Sequence, residues 1–124
     1  MNCRLTSFAT YKDLRGYIRC RDAGGSARAC LSKGDNGEGY AGDNTATTKV
    51  AMCALPISEL VARWGTTLKA RGKKVHVTMG DKTITCELRD IGPAGVCDLN
   101  PGALIAFGLD QETELNKPGS WVWA

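Results

Sequence analysis

Residues 88–109, LRDIGPAGVCDLNPGALIAFGL, leave the chain little choice of local structure. Leu88-Arg89-Asp90 closes an alternating segment. Ile91-Gly92-Pro93-Ala94-Gly95 must then turn, because Pro93 has no ladder donor and the glycines admit positive φ. Val96-Cys97-Asp98-Leu99 returns extended, Asn100 reads as an N-cap, Pro101 as the first helical residue and Gly108 as the stop. Two acids, Asp90 and Asp98, therefore stand at the ends of short strands on rigid elements. Acids held in this way are either backbone anchors or a reaction centre.

The flanking sequence extends this frame. Val75, Val77 and Met79 alternate, Gly80-Asp81 turns, and Ile84, Cys86 and Leu88 alternate again, which predicts a hairpin. Residues 50–55 form a short apolar strand stopped by Pro56. Ile57, Leu60, Val61, Trp64 and Leu68 fall on one helical face, with Ser58 as its cap and Gly65 as its end. Aromatic and hydroxyl residues predict a first strand over 5–11, and Ser120-Trp121-Val122-Trp123-Ala124 a closing one. Residues 15–49 carry Gly24-Gly25-Ser26 and Gly34-Asp35-Asn36-Gly37-Glu38-Gly39 and read as a long loop. Short strands with two or three short helices predict a mainly β chain closed into a barrel, rather than a parallel α/β sheet. Residues 1–124 are expected to form a single domain.

Charge and cysteine content narrow the function classes. A net charge of +3 with scattered Lys and Arg lacks the basic stripe of a nucleic-acid binder. The glycine run opens no Gly-Lys-Ser/Thr helix, so no phosphate loop and no cofactor are expected. Six cysteines without CxxC spacing, and one His76 inside an alternating strand where it faces solvent, argue against a zinc site. They point instead to two or three disulfides and a secreted, extracellular or periplasmic chain. Cys3, Cys20 and Cys30 are expected to staple the irregular region, with Cys86 and Cys97 meeting beside the central turn. No leader or membrane span is visible, so a leader removed earlier or a separate export machine is expected. The expected state is a monomer.

Several blocks carry a resemblance: Ala54-Leu55-Pro56, Lys74-Val75-His76-Val77, Arg89-Asp90-Ile91-Gly92-Pro93, Cys97-Asp98-Leu99-Asn100-Pro101-Gly102-Ala103 and Phe107-Gly108-Leu109. In that order they resemble the double-psi β-barrel domains, above all rare lipoprotein A and the expansins. The likeness covers residues 50–124, with Ala9-Thr10-Tyr11 similar to the first strand of bacterial expansins. It implies a six-stranded double-psi β-barrel with a disulfide-pinned N-terminal region and a polysaccharide groove across one face. It further implies that Thr10, Asp90 and Asp98 form a polar site, with Asp90 in the acid/base position of a peptidoglycan lytic transglycosylase. The family histidine before the Leu-Pro is absent here, where Met52 stands near its place. A looser likeness to family 45 endoglucanases puts a base near Asp13.

Glycosidic cleavage needs an acid for the leaving oxygen, and hydrolysis a second carboxylate. Asp90 and Asp98 are the expected catalytic pair, each raising the other's pKa if they meet. Thr10, Tyr11 and Thr45 are expected to orient a bound sugar, with Asp43 as a reserve carboxylate. Three readings follow: a glycan-cleaving enzyme acting on peptidoglycan or a cellulose-like wall polymer, a non-catalytic polysaccharide-binding or wall-loosening module, and a secreted barrel that binds another protein, such as an inhibitor. Trp64, Tyr17 and Tyr40 are the aromatic candidates for the second. Placement of Asp90 and Asp98 on opposite sides of the molecule, or both locked in backbone contacts with no cleft above them, ends the case for the first.

Overall fold

The hairpin forms where the alternation predicts it. Strands β3 (Lys74–Met79) and β4 (Lys82–Gly92) pair antiparallel through a two-residue turn. Gly80 leads that turn at φ 64°, the sign that matches the twist of the flanking strands. The computed structural model describes residues 1–124 and adds β1 (Asn2–Ser7), β2 (Met52–Pro56), β5 (Val96–Leu99) and β6 (Asn116–Trp123). The six close into a barrel in the order β1-β5-β2-β4-β3-β6. Two neighbouring pairs, β1 with β5 and β2 with β4, run parallel, and the other four run antiparallel. Closure leaves no strand edge open to further pairing.

Period-two alternation builds the interior. Leu5, Cys53, Leu55, Val75, Val77, Ile84, Cys86, Leu88, Cys97, Leu99 and Trp121 belong to one core cluster of 17 buried residues. A second, three-residue cluster of Phe8, Ala9 and Ala54 lies on the outer face of β2. Helix α5 (Pro101–Ala106) begins as read, with Pro101 at its first position and Asn100 as its cap, and Gly108 follows at φ 81°. Asn100 is fully buried and uses every polar atom of its side chain. Its Oδ1 accepts from the Met52 and Ala103 amides at 2.8 and 2.9 Å, and its Nδ2 donates to the Thr45 and Val50 carbonyls at 3.0 Å each.

The N-terminal third departs from expectation. The first strand ends at Ser7, and residues 11–22, expected as strand end and loop, form the twelve-residue helix α1 (Tyr11–Asp22). Ala9 takes φ 59° in the left-handed region, the one non-glycine to do so, and Thr10 caps α1 through the Asp13 amide. Helix α2 (Ala27–Cys30) follows, capped by Ser26. With α3 (Ile57–Trp64) and α4 (Thr67–Ala70) the chain has five short helices rather than two or three. Ser58 does not cap α3; Pro56 occupies the cap position, and Gly65 ends the helix at φ 88° as read.

Cys20 and Cys30 are disulfide-bonded, tying the end of α1 to α2. Cys3 takes no part in that staple, since it lies on β1. Cys86 and Cys97 do not meet directly, because they sit on strands either side of β2 and Cys53 comes between them. No helix is long and apolar enough to cross a membrane.

Candidate functional site

Asp90 and Asp98 do come together. Both stand opposite Ala54, Asp90 across the parallel β2–β4 ladder and Asp98 across the antiparallel β2–β5 ladder. Their backbones are thus two strand spacings apart, about 10 Å, on either side of a methyl group. A bulge makes this possible. The β2–β4 register jumps from Cys53↔Leu88 to Ala54↔Asp90, which leaves Arg89 as the extra residue. Strict alternation would point Asp90 inward with Leu88; the inserted residue turns it to the outer face that Ala54 and Asp98 share.

Four carboxylates converge on that face. Thr6 on β1, the register partner of Asp98, donates its hydroxyl to Asp98 Oδ1. Asp35 donates its amide to the Asp13 carbonyl at 2.9 Å and accepts from the Gly37 amide at 2.6 Å. Asp90 accepts from the Ile91 amide at 2.9 Å, and the Tyr40 amide lies near its carboxyl. Burial is the main cause pushing the Asp90 carboxyl up to about 6, with Asp35 and Asp98 adding to it and the two amides opposing. Burial also raises Asp98, against the pull of the Thr6 hydroxyl and with help from Asp13 and Asp35. Asp35 rises for the same first reason.

The loop of residues 35–49 runs over this face. Gly39 packs so tightly on the bulged residue that a Cβ there would sit 1.9 Å from the Arg89 carbonyl oxygen. Ala46 packs on Phe8, Ala9 and Ala54. Asp43, expected as a reserve carboxylate, takes two hydrogen bonds from Arg71 at 2.8 and 2.9 Å and one from Arg89 at 3.4 Å. These guanidinium contacts, Arg71 first, hold its carboxyl below the usual range. Arg89 also grips Glu87, which in turn meets Lys74. Asp43 is therefore an anchor of the covering loop. Five cavities indent the surface, and none has Asp90 or Asp98 in its lining.

The remaining sequence-read residues scatter. Thr10 is buried as the α1 cap, and Thr45 is fully buried with its hydroxyl unpartnered. Tyr11 is exposed and lines a cavity of about 340 Å³ with Leu14, Ala46 and Ile105. That cavity shares Leu14, Ala46 and Thr47 with a second of about 310 Å³ that includes Tyr17 and Asn36. Trp64 and Tyr40 pack on the main core; the Trp64 ring meets Trp123 edge-on, with Arg63 and Lys73 over it, and Tyr40 donates to the Thr67 carbonyl. His76 is exposed on the hairpin, 3.1 Å from Thr85. Asp13 and Asp35 are the carboxylates that bring the cluster to four. Asp13 came only through a loose resemblance, and Asp35 carried no signal beyond its glycine-rich surroundings.

This electrostatic arrangement sets a pH dependence. An acid whose folded pKa is raised binds its proton more tightly in the native state, so its contribution is full below the unfolded value and is lost as pH rises through the folded one. Asp43, Glu87 and Glu114 are lowered, and what they contribute is lost only when the medium falls below the ordinary carboxylate range. Between pH 7 and pH 5 the raised acids therefore dominate, and the native state should become more resistant to urea as pH falls. Asp90→Asn should remove about 1 kcal/mol of that gain, after discounting the shift for its partial exposure. Urea midpoints of both proteins at pH 5 and pH 7 measure it; parallel slopes would contradict the assignment.

The site sits on a closed mixed barrel of six strands in which two neighbouring pairs run parallel. Among solved structures the chain is similar to the Streptomyces papain inhibitor, with 19% identity and a TM-score of 0.52 over 98% of this chain and 93% of that one. No protein-family model and no curated protein matches the sequence. The end-to-end likeness establishes the fold and includes the N-terminal helices that the sequence blocks did not cover.

Proposed function

We propose that this chain is a secreted, rigid barrel that binds another protein and inhibits a cysteine protease of the papain type. One observation carries the reading: the whole chain shares its fold with a papain inhibitor, while the carboxylates that a glycan-cleaving relative would open to substrate lie beneath the 35–49 loop with no cavity above them. The Cys20–Cys30 disulfide fits an oxidising destination. A binding protein of this kind needs a surface held still rather than a proton donor, and a closed barrel supplies it.

The glycan-cleaving reading stands second, favoured by a separate observation. Asp90 rests near pH 6 beside Asp98, as a general acid working at neutral pH should. Under that reading Asp90 serves as acid/base on peptidoglycan or a related wall polymer, and the 35–49 loop must lift to admit it.

One experiment separates the two. The purified chain is pre-incubated with papain, and residual peptidase activity is followed as its molar ratio rises; in parallel it is incubated with peptidoglycan and the supernatant examined by mass spectrometry. The expected result is saturable loss of papain activity that Asp90→Asn leaves intact, with no soluble muropeptides. Full papain activity under a large molar excess would sink the first reading. Muropeptide release abolished by Asp90→Asn would establish the second.

A further inference from the structure

Outside the Cys20–Cys30 bridge, four cysteines, all free thiols in this structure, lie on four strands that are neighbours around the barrel: Cys3 on β1, Cys97 on β5, Cys53 on β2 and Cys86 on β4. Cys53, Cys86 and Cys97 are fully buried in the main core, and Cys3 packs against it. Cys97 stands opposite Leu5, two residues beyond Cys3. Cys53 stands opposite Leu99, two beyond Cys97, and also opposite Leu88, two beyond Cys86. Allowing for strand direction, each step around the barrel advances by two residues in the same sense. Strands in a closed barrel are tilted, so a steady offset of this kind keeps inward side chains at nearly one height. The four sulfurs form a row.

Contacts along the row agree with the register. Cys97 lies close enough to Cys3, and both Cys86 and Cys97 close enough to Cys53, to alter the ionisation of those thiols. The adjacent pairs are Cys3 with Cys97, Cys97 with Cys53, and Cys53 with Cys86. A bond across the middle pair would strand the two ends. Only one pairing satisfies all four.

We propose that in the oxidised protein Cys3 is bonded to Cys97 and Cys53 to Cys86, giving three disulfides with Cys20–Cys30. Each new bond forms as two thiols lose two protons and two electrons, the electrons reducing one disulfide of a small-molecule or protein disulfide donor to two thiols. A chain that holds Cys20 and Cys30 bonded matures where such donors operate. Cys3–Cys97 joins β1 to β5, and Cys53–Cys86 joins β2 to β4. These are the two parallel pairs, the ones no hairpin turn can hold together. The competing use of clustered thiols is a metal cage, but no three His, Cys, Asp or Glu side chains are arranged to share one ion. The neighbouring Cys86 and Cys97 thiols, with burial, push the Cys53 thiol far up, and burial pushes the Cys3 thiol up to about 11, so these two thiols are poor nucleophiles once the barrel has closed.

The test uses the wild-type chain produced in an oxidising compartment, denatured without reductant and treated with a maleimide. No label is expected before reduction, and all six cysteines should label after it. Mass spectrometry of a non-reduced digest should recover peptides joining Cys3 to Cys97 and Cys53 to Cys86. Four labelled thiols before reduction, or a peptide joining Cys53 to Cys97, would overturn the proposal. The double variant Cys3→Ser/Cys97→Ser should keep the Cys53–Cys86 peptide and melt lower by about 10 °C, as loss of a long-loop crosslink does. Unchanged melting would count against the first bond, and because the mapping is done on the wild type, the proposal stays open to refutation if the variant fails to fold.

Discussion

Asn100→Ala should be the most damaging single substitution that leaves every strand residue in place. It removes the α5 cap and at the same time orphans the Met52 amide and the Thr45 and Val50 carbonyls, all hydrogen-bonded to this one side chain. A lost cap costs about 1 kcal/mol and each buried group left unpaired about 1–3 kcal/mol, so the total should reach about 4 kcal/mol or more. For a chain of this size that corresponds to a fall in Tm of about 15 °C. Asn100→Asp sharpens the test. It retains the capping oxygen but replaces the Nδ2 donor with a second acceptor facing two carbonyls, so it should lose nearly as much. Thermal melts of the two variants measure both, and an Asn100→Asp protein as stable as the parent would reduce Asn100 to a cap alone.

Gly39→Ala should act on the covering loop rather than on the barrel. A methyl group 1.9 Å from the Arg89 carbonyl oxygen has nowhere to go, and the neighbour is backbone rather than a side chain that could swing away. The loop must lift, at a cost of about 2–3 kcal/mol by the scale of overpacking. Gly42→Ala is the matched control, since Gly42 has φ 85° but nothing within 4 Å, and should lose only the left-handed penalty of about 1 kcal/mol. Lifting the loop also admits water to Asp90. Its pKa should then move down towards the ordinary carboxylate range in Gly39→Ala and stay near 6 in Gly42→Ala, as read by NMR titration of the side-chain carboxyl. If Gly39→Ala also releases muropeptides while the parent does not, the loop is a lid over a working acid.

What the sequence disclosed, and what it hid, follows from where each element keeps its apolar residues. The 74–92 hairpin and the Asn100-Pro101 helix start were legible because alternation, a glycine turn and a cap agree at each. Helix α1 was not, since none of its residues is buried and its apolar spacing is thin, with Tyr11, Leu14 and Ile18 set among Lys12, Asp13, Arg15, Gly16 and Arg19. Its remaining signals were local: Thr10 three residues before Asp13, and Arg19 and Arg21 in the last turn ahead of Gly24. The aromatic and hydroxyl content of residues 5–11 concealed them by reading as strand. At the site, Asp90 and Asp98 were visible as strand-end acids on either side of one turn. The cover over them was not, because it depends on Gly39 meeting Arg89 across about fifty positions of chain, and no pattern within residues 15–49 records that approach.

The extra residue in β4 has a further consequence. Which side of the wall the acid occupies is decided by a count of residues, not by the acid itself. Were Arg89 retained but paired without the bulge, unbroken alternation from Leu88 would aim the Asp90 carboxylate at the dry interior, where an ionised group has no partner, whereas deleting Arg89 would leave Asp90 directly after Leu88 and still outside. Acidity on the outside and oil within are, along this strand, separated by a single amino acid.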